Sequence, residues 1–523
     1  MSREFQKIDS ITVIGGGDAG LLTALALDRE LDDTDIVTID DFDESVPEVG
    51  KSTLSYVTTF LRDCLGINLG RVIREVSLAW KTTVYFEDWT GIEPFHSPLG
   101  QSLPIISNAE DAKGPEIHNL NPYHEDEFHE FYYRYNQRDF TTLYELVAES
   151  PGTAPIIIRR DNTSTIEKPL PSAAYHFNSR SLNKFLRTLL RERGGDLIDD
   201  HITEVMTSGN RIDRIVGEKT EYSSDLYIDA SGFQRILMKE LDNPLLKFDL
   251  PVDSAVVATP DISYSEIVSA TVVTSGEAGW FWQIDTASDT GGARDLGYVY
   301  SSMHLSDEAA EQEFIETRNE NIDPESIRRY RFESGVLETP WLNNCIAIGN
   351  ALGFVEPLQS TALTTSCKLA ARLTRLLGKH GRVNHDGLRR LYNESTRATW
   401  EEIYNFISIY YKYNSGSTQF WEDARSINPG KVPHYLSYQD SGFSAWQDRY
   451  RLTRNATDLN EYYLYYHIFR NLGVESDFYE RLDFEPDSGV ANKINEYTTG
   501  LPDEMDEFLT YEEFHQVFHP GFD

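Results

Sequence analysis

Ile11-Thr12-Val13-Ile14-Gly15-Gly16-Gly17-Asp18-Ala19-Gly20, running directly into Leu21-Leu22-Thr23-Ala24-Leu25-Ala26-Leu27, decides the fold class. The first four residues are a short apolar run of strand type and the last seven are good helix formers, so the glycines between them make the tight turn of a strand–turn–helix unit. A second apolar run, Ile36-Val37-Thr38-Ile39, ends at Asp40 and completes a βαβ unit. Gly15, Gly17 and Gly20 satisfy GxGxxG, and Asp40 follows Gly20 by twenty residues. Small residues let the backbone approach a pyrophosphate, the helix N-terminus supplies partial positive charge, and the acid ending the second strand accepts ribose hydroxyls. Any glycine-rich turn matches the hexapeptide alone. With strand, helix and terminal acid in place, the reading is dinucleotide binding through Gly15, Gly17, Asp18, Ala19, Gly20 and Asp40.

Two later segments select FAD over a nicotinamide cofactor. Asp225-Leu226-Tyr227-Ile228-Asp229-Ala230-Ser231-Gly232 reads as a middle strand ending beside the cofactor. Cys345-Ile346-Ala347-Ile348-Gly349-Asn350-Ala351 is a late strand ending in Gly-Asn, followed by Gly353-Phe354-Val355-Glu356-Pro357-Leu358 and a helix from about Thr361 to Leu377 closed by Gly378. The order resembles FAD monooxygenases, in which the late strand and helix hold the flavin, and adds Gly349 and Leu358 to the cofactor residues. The expected fold is α/β: an FAD-binding Rossmann-type, flavin monooxygenase-like core with mixed sheets over 1–383, with 91–155 as a substrate-side insertion. From about Asn384 the pattern turns helical and aromatic, with Trp400, Tyr404, Phe406, Tyr410 and Tyr411 at helical spacings, so 384–523 is read as a mostly helical substrate-binding module.

Composition bounds the function. With 47 Lys and Arg against 85 Asp and Glu, the net charge is −38. The acidic residues are spread along the whole chain, which argues against nucleic acid, since neutralising phosphates needs clustered cations. The spread reads as a solvated acidic coat of halophilic type, with a site for a basic partner as the alternative. Cys64, Cys345 and Cys367 have neither zinc spacing nor a disulfide pattern, so no metal is expected and a reducing cytoplasm is. No signal peptide or membrane-spanning run is evident.

Gly279-Trp280-Phe281-Trp282-Gln283-Ile284-Asp285 resembles the GWxWxIP signature of flavin-dependent halogenases of the tryptophan-halogenase type. On pattern alone it is a strand with two core tryptophans. The resemblance implies that Trp280 and Trp282 wall the flavin site. Tyr175-His176-Phe177-Asn178 and Gly297-Tyr298-Val299-Tyr300-Ser301-Ser302 resemble the same family, as does Gly353 through Thr361. Ala79-Trp80-Lys81-Thr82-Thr83-Val84-Tyr85-Phe86 resembles the segment carrying the family's catalytic lysine, which places that role on Lys81. In strand alternation Lys81 shares a face with Ala79, Thr83 and Tyr85, opposite Trp80, Thr82 and Val84. Without the resemblance Lys81 would be read as a surface lysine; on a tunnel wall, desolvation would lower its pKa and leave more of it neutral.

Glu356-Pro357-Leu358-Gln359-Ser360-Thr361-Ala362 is similar to the family's EPLESTG, whose backbone lies beside halide and flavin. That implies a halide site at Ser360, Thr361 and Ala362, where N–H groups at a helix start offer donors. Gln359 takes the place of the family glutamate and, as an amide, cannot accept a proton. Gly50-Lys51-Ser52-Thr53 resembles a flavin-contacting VGEAT with lysine for glutamate; the same tetrad fails as a P-loop, because Ser45 stands where the first glycine is required. Asp285 stands where the tryptophan motif has proline. His96, Phe420, Trp421 and Trp446 are candidate substrate contacts; core packing accounts for the aromatics and a satisfied surface histidine for His96.

The resemblance implies halogenation of an electron-rich indole, phenol or pyrrole by reduced FAD, O2 and chloride or bromide. Hypohalous acid would be held by Lys81, and a separate flavin reductase would supply the reduced cofactor. An FAD-dependent hydroxylase and a catalytically silent flavoprotein are the alternatives.

Overall fold

The computed structural model describes residues 6–42, 50–89, 91–99, 134, 138, 141–160, 165–170, 173–288, 290–318, 322–379, 383–428, 430, 467–474 and 488–518. Most of the expected 91–155 insertion, much of the C-terminal module, and Trp446 lie outside them. The chain divides into two units, each assembled from three separate segments. The first holds 1–77, 177–254 and 330–404; the second holds 78–176, 255–329 and 405–523. This interleaving differs from the linear boundary expected at 383/384. Neighbouring strands of one sheet come from distant parts of the sequence, which local patterns do not register.

The first unit contains a six-stranded sheet in the order Asp196–Asp199, Asp35–Asp40, Ser10–Ile14, Leu226–Asp229, Cys345–Ala347, Trp341–Leu342. Its first five strands run parallel and the last is antiparallel. Strands buried on both faces need continuous apolar runs, and Ile11, Val13, Ile228 and Ile346 are fully enclosed. Register aligns Ile14 with Ile39 and with Asp229, and Asp229 with Ala347. The strand ends that precede Gly15, Ala230 and Ile348 are therefore level, at the carboxyl edge where open α/β sheets bind ligands. The helices Asp18–Glu30 and Thr361–Lys379 pack together, and each buries leucines, among them Leu21, Leu25, Leu369 and Leu373.

In the second unit, the strands Gly291–Tyr300, Gly279–Ser288, Ala270–Ser275, Thr83–Asp88 and Phe95–Pro98 are successive neighbours in one sheet. All pairs are antiparallel except Ala270–Ser275 with Thr83–Asp88. Phe281, Tyr298, Tyr300 and Phe314 fill the core beside it.

Candidate active site

In the first unit the dinucleotide loop closes on itself as its sequence requires. Gly15 donates its N–H to Ile39 O (2.8 Å). Its φ is +108°, and a Cβ there would lie 2.4 Å from Ala230 O, so only glycine lets the strand ends converge. Gly17 caps the helix Asp18–Glu30 in extended geometry without a side-chain cap, and a Cβ on it would meet nothing within 4 Å. Open space thus lies beside uncapped helical N–H groups, which fits an FAD pyrophosphate. Asp40 accepts the Gly16 N–H (2.7 Å) and pairs with Arg187, while Asn183 donates to Gly16 O (2.8 Å). The helix Ser179–Glu192 therefore steadies the loop from behind, a role sequence reading missed.

Asp18 has a side chain only 4% exposed, and the Lys51 ammonium stands 3.7 Å from it. Burial raises the Asp18 pKa and Lys51 opposes the rise. Lysine in the VGEAT-like segment is thus explained locally, as counter-charge to an acid in the pyrophosphate loop. The Ser360 hydroxyl donates to Ser52 Oγ (2.8 Å), and Leu54 N–H to Thr364 Oγ1 (3.2 Å). A Cβ on Gly349 would lie 2.7 Å from Ala19 Cβ. The segment Gly50–Thr53, the late strand and the EPLQST turn therefore meet the dinucleotide loop in one cluster, with Gly50, Thr53 and Leu358 buried in it.

Ser360 adopts φ +57° and spends its N–H on Pro357 O (3.0 Å), so it is not available as one of the expected halide donors. Thr361 and Ala362 open the helix Thr361–Lys379, where N–H groups lack intrahelical acceptors. Gln359 is buried, and Glu356 Oε1 takes the Leu358 N–H (2.9 Å).

Lys81, in the second unit, ends the strand Leu78–Lys81 and is 0% exposed. It is not the surface lysine that pattern alone gives. Burial lowers its pKa to about 7, because an ammonium loses its hydration there. Chain alternation continues past it. Thr82 Oγ1 donates to the carbonyls of Tyr144 and Ser269 (both 2.9 Å), whereas Thr83 and Tyr85 meet His96 on the other side. The strand is pinned by Tyr511, whose hydroxyl accepts the Trp80 N–H (3.0 Å), and by Phe514 packed edge-on to the Trp80 ring at 4.8 Å. His176 is held through Nδ1 to Asp285 O (3.2 Å) and Nε2 to Thr271 Oγ1 (2.9 Å). Its pKa falls to about 3, first through burial and then through the charge of Lys81, so the ring is neutral at physiological pH.

Trp280 and Trp282 lie 6.0 Å apart on the strand Gly279–Ser288. Trp280 Nε1 donates to Tyr411 Oη (2.9 Å), and the Trp282 ring lies so close over Gly297 that a Cβ there would sit 2.1 Å from it. Asp285, in the place of proline, is buried and takes a two-pronged bond from Arg294, its cross-strand partner (2.9 and 3.0 Å). This departure from the signature is a buried ion pair. Phe420 and Trp421 are enclosed among aromatic rings, with Trp421 edge-on to Trp89 at 5.2 Å and its Nε1 donating to Gly276 O (2.9 Å). Packing accounts for both without a ligand. His96 is buried, with Nδ1 3.0 Å from Thr83 Oγ1 and Nε2 3.1 Å from Glu149 Oε1.

Among the described residues, no group of three or more His, Cys, Asp or Glu is arranged to hold a metal, and no helix is long and apolar enough to cross a membrane.

The tryptophan halogenase family model matches residues 10–486. The chain is 26% identical over 497 residues to tryptophan 7-halogenase RebH of Lentzea aerocolonigenes, covering 90% of this chain and 88% of that one. It is 27% identical to the 7-chloro-L-tryptophan 6-halogenase KtzR of a Kutzneria species, covering 80% and 82%. The solved flavin-dependent halogenase Xcc4156 of Xanthomonas campestris shares the fold, with a TM-score of 0.78 at 20% identity and 99% coverage of both chains. BrvH, a flavin-dependent halogenase from Brevundimonas, gives 0.75 at 22%, covering 98% of this chain and all of that one.

Proposed function

The chain belongs to the tryptophan halogenase family, and on that footing we propose that it halogenates an electron-rich aromatic substrate of indole, phenol or pyrrole type with reduced FAD, oxygen and chloride or bromide. Lys81 carries this reading. A lysine buried to 0% exposure, with a pKa lowered to about 7, is an expensive feature for a fold to keep and has the chemistry of an amine kept ready as a nucleophile or hydrogen-bond donor.

The residues fitted to hold FAD are the Gly15–Gly20 loop, Asp40, Gly50 through Thr53, Gly349 and Leu358. When bound and reduced, the flavin supplies, with O2, the oxidising equivalents that convert a halide into hypohalous acid. The N-terminus of the helix Thr361–Lys379 offers the Thr361 and Ala362 N–H groups to the halide. Lys81 captures the electrophile by hydrogen bond or as a haloamine, and its burial keeps bulk water from competing for it. The ring carbon presented nearest this amine takes the halogen, so regiochemistry follows from how the substrate is held. Trp280 and Trp282 form a rigid apolar wall that suits this exclusion of water. Gln359 can orient a neighbour by hydrogen bonding but holds no exchangeable acid–base proton at neutral pH. The relatives' tryptophan substrates support an indole as the first candidate. We place the reaction in the cytoplasm, with reduced FAD delivered by a separate reductase.

The test is turnover with FAD, a flavin reductase, NADH, oxygen and bromide against a panel of indoles, phenols and pyrroles. Mass spectrometry reads bromine's isotope doublet, with Lys81→Met and free hypobromite as controls. A doublet that requires Lys81 is expected. Hydroxylated product, or peroxide alone from flavin-loaded protein, overturns the reading.

A further inference from the structure

Electrophilic aromatic substitution ends with loss of the ring proton, and something other than the Gln359 amide must receive it. The second unit contains a hydrogen-bonded line that begins two residues along the chain from Lys81 and ends at a half-exposed carboxylate. Thr83 Oγ1 lies 3.0 Å from His96 Nδ1, and His96 Nε2 lies 3.1 Å from Glu149 Oε1. Thr83 is buried and His96 is 7% exposed, whereas half of the Glu149 side chain faces water. The imidazole is packed in place within this line. It stacks on Tyr85 at 4.5 Å between centroids, and its own backbone carbonyl is held by His467 Nε2 (2.7 Å).

Glu149 fixes the direction of the outer bond. Glu149, held below the usual carboxylate range chiefly by its bond to His96, is an acceptor. Nε2 therefore carries a proton, and the outlet requires the Nδ1 lone pair to face Thr83. The Thr83 hydroxyl then donates to Nδ1, which leaves its oxygen lone pairs as acceptors on the side away from His96. Thr83 follows Lys81 by two residues of extended chain, roughly 7 Å. With Thr82 turned to the Tyr144 and Ser269 carbonyls, side-chain alternation along an extended chain is what assigns Lys81 and Thr83 to one side.

We propose that Thr83, His96 and Glu149 are the proton outlet of the reaction, carrying the displaced ring proton from the Lys81 site to solvent. The inference rests on the halogenation reading above. The aromatic carbon uses a ring electron pair to take the halogen from hypohalous acid held at Lys81, and hydroxide leaves. The C–H bond then breaks, and its electron pair restores the ring. Its proton passes to Thr83 Oγ1 as the Thr83 proton moves to His96 Nδ1. The resulting imidazolium is paired with Glu149, and its Nε2 proton passes through that carboxylate to water, where it balances the hydroxide. No oxidation change occurs in this step, since the halogen arrives already oxidised.

The test uses the full chain with FAD, reductase, bromide, and L-tryptophan with or without deuterium on the indole ring. The wild type is expected to show no isotope effect on bromination, because the outlet makes deprotonation fast. His96→Gln, and the isosteric surface change Glu149→Gln, should slow product formation, the former by about 100-fold, and both should reveal a primary isotope effect. Slowing without an isotope effect would mean a structural role only and would overturn the proposal, as would unchanged rates. A second measurement needs no turnover: nitrogen NMR of histidine-labelled protein, with His96 assigned by its loss in His96→Gln. Nδ1 should appear as an unprotonated acceptor; a protonated Nδ1 closes the outlet and refutes the proposal. Failure of the wild type to brominate tryptophan counts against that substrate, while the nitrogen measurement still decides the relay.

Discussion

Replacing Lys81 by methionine should stabilise the protein, by an amount that shrinks as pH rises. Methionine matches the length and flexibility of the lysine stem, so packing changes little. In the unfolded chain the amine titrates near 10.5, whereas burial lowers it to about 7 in the folded protein. Between those values the unfolded state binds a proton that the native state does not, so wild-type stability climbs with pH across this window. Each pH unit is about 1.4 kcal/mol. The penalty removed by Lys81→Met is therefore roughly 5 kcal/mol below pH 7, about 3 kcal/mol at pH 8, and near zero above pH 10.5. Urea unfolding of both proteins at pH 7.5, 8.5 and 9.5 measures it, and tyrosines and cysteines that titrate in both cancel from the difference. A stability difference that stays flat across that range would sink the reasoning, because it would mean that the amine is not desolvated. The same variant should yield no halogenated product, so stability and activity would move in opposite directions at one residue.

Three further outcomes are expected. Halogenation by the wild type should fall about tenfold per pH unit below pH 7, as the Lys81 amine takes up a proton and loses its lone pair; a pH–rate profile that is level down to pH 5.5 would contradict this. Lys51→Met should weaken FAD binding by about tenfold, since it leaves the Asp18 carboxylate facing a pyrophosphate without its counter-charge; titration by flavin fluorescence reads it, and adding Asp18→Asn should restore most of the affinity. Gly297→Ala should cost about 2 kcal/mol, because its Cβ would overlap the Trp282 ring; an unchanged melting temperature would mean that the ring can move aside.

The dinucleotide loop was legible because everything that fixes it is local: the strand, the turn glycines and the helix are contiguous, and Asp40 lies one βαβ unit away. Lys81 shows how far periodicity reaches. Alternation separated Thr83 and Tyr85 from Thr82, as the hydrogen bonds bear out, but it contained nothing about depth. Depth comes from packing by distant segments, and the neighbouring Trp80 is held by Tyr511 and Phe514, more than 400 residues later. The proline-to-aspartate change at 285 had a readable signal in Arg294, its partner across a hairpin, which the sequence reading did not use. The line from Thr83 to Glu149 had none, because His96 and Glu149 are 53 residues apart and meet only after folding. The bond from the Ser360 N–H to Pro357 O had no signal either, since it closes a turn through Leu358 and Gln359 whose backbone angles their residue types do not dictate.

The interleaving of segments also governs how the chain can be made. The central strand Ser10–Ile14 leaves the ribosome long before its neighbour Leu226–Asp229, and longer still before Cys345–Ala347 completes the parallel run. At a synthesis rate of roughly 5–20 residues per second, that apolar strand waits on the order of tens of seconds for its last partner. Neither unit can close as a nascent domain, because the first needs sequence up to residue 404 and the second draws on the segment after it. The excess of Asp and Glu, spread along the whole chain, then acts before there is a native surface to coat, setting unfinished chains on a polysome apart through mutual repulsion.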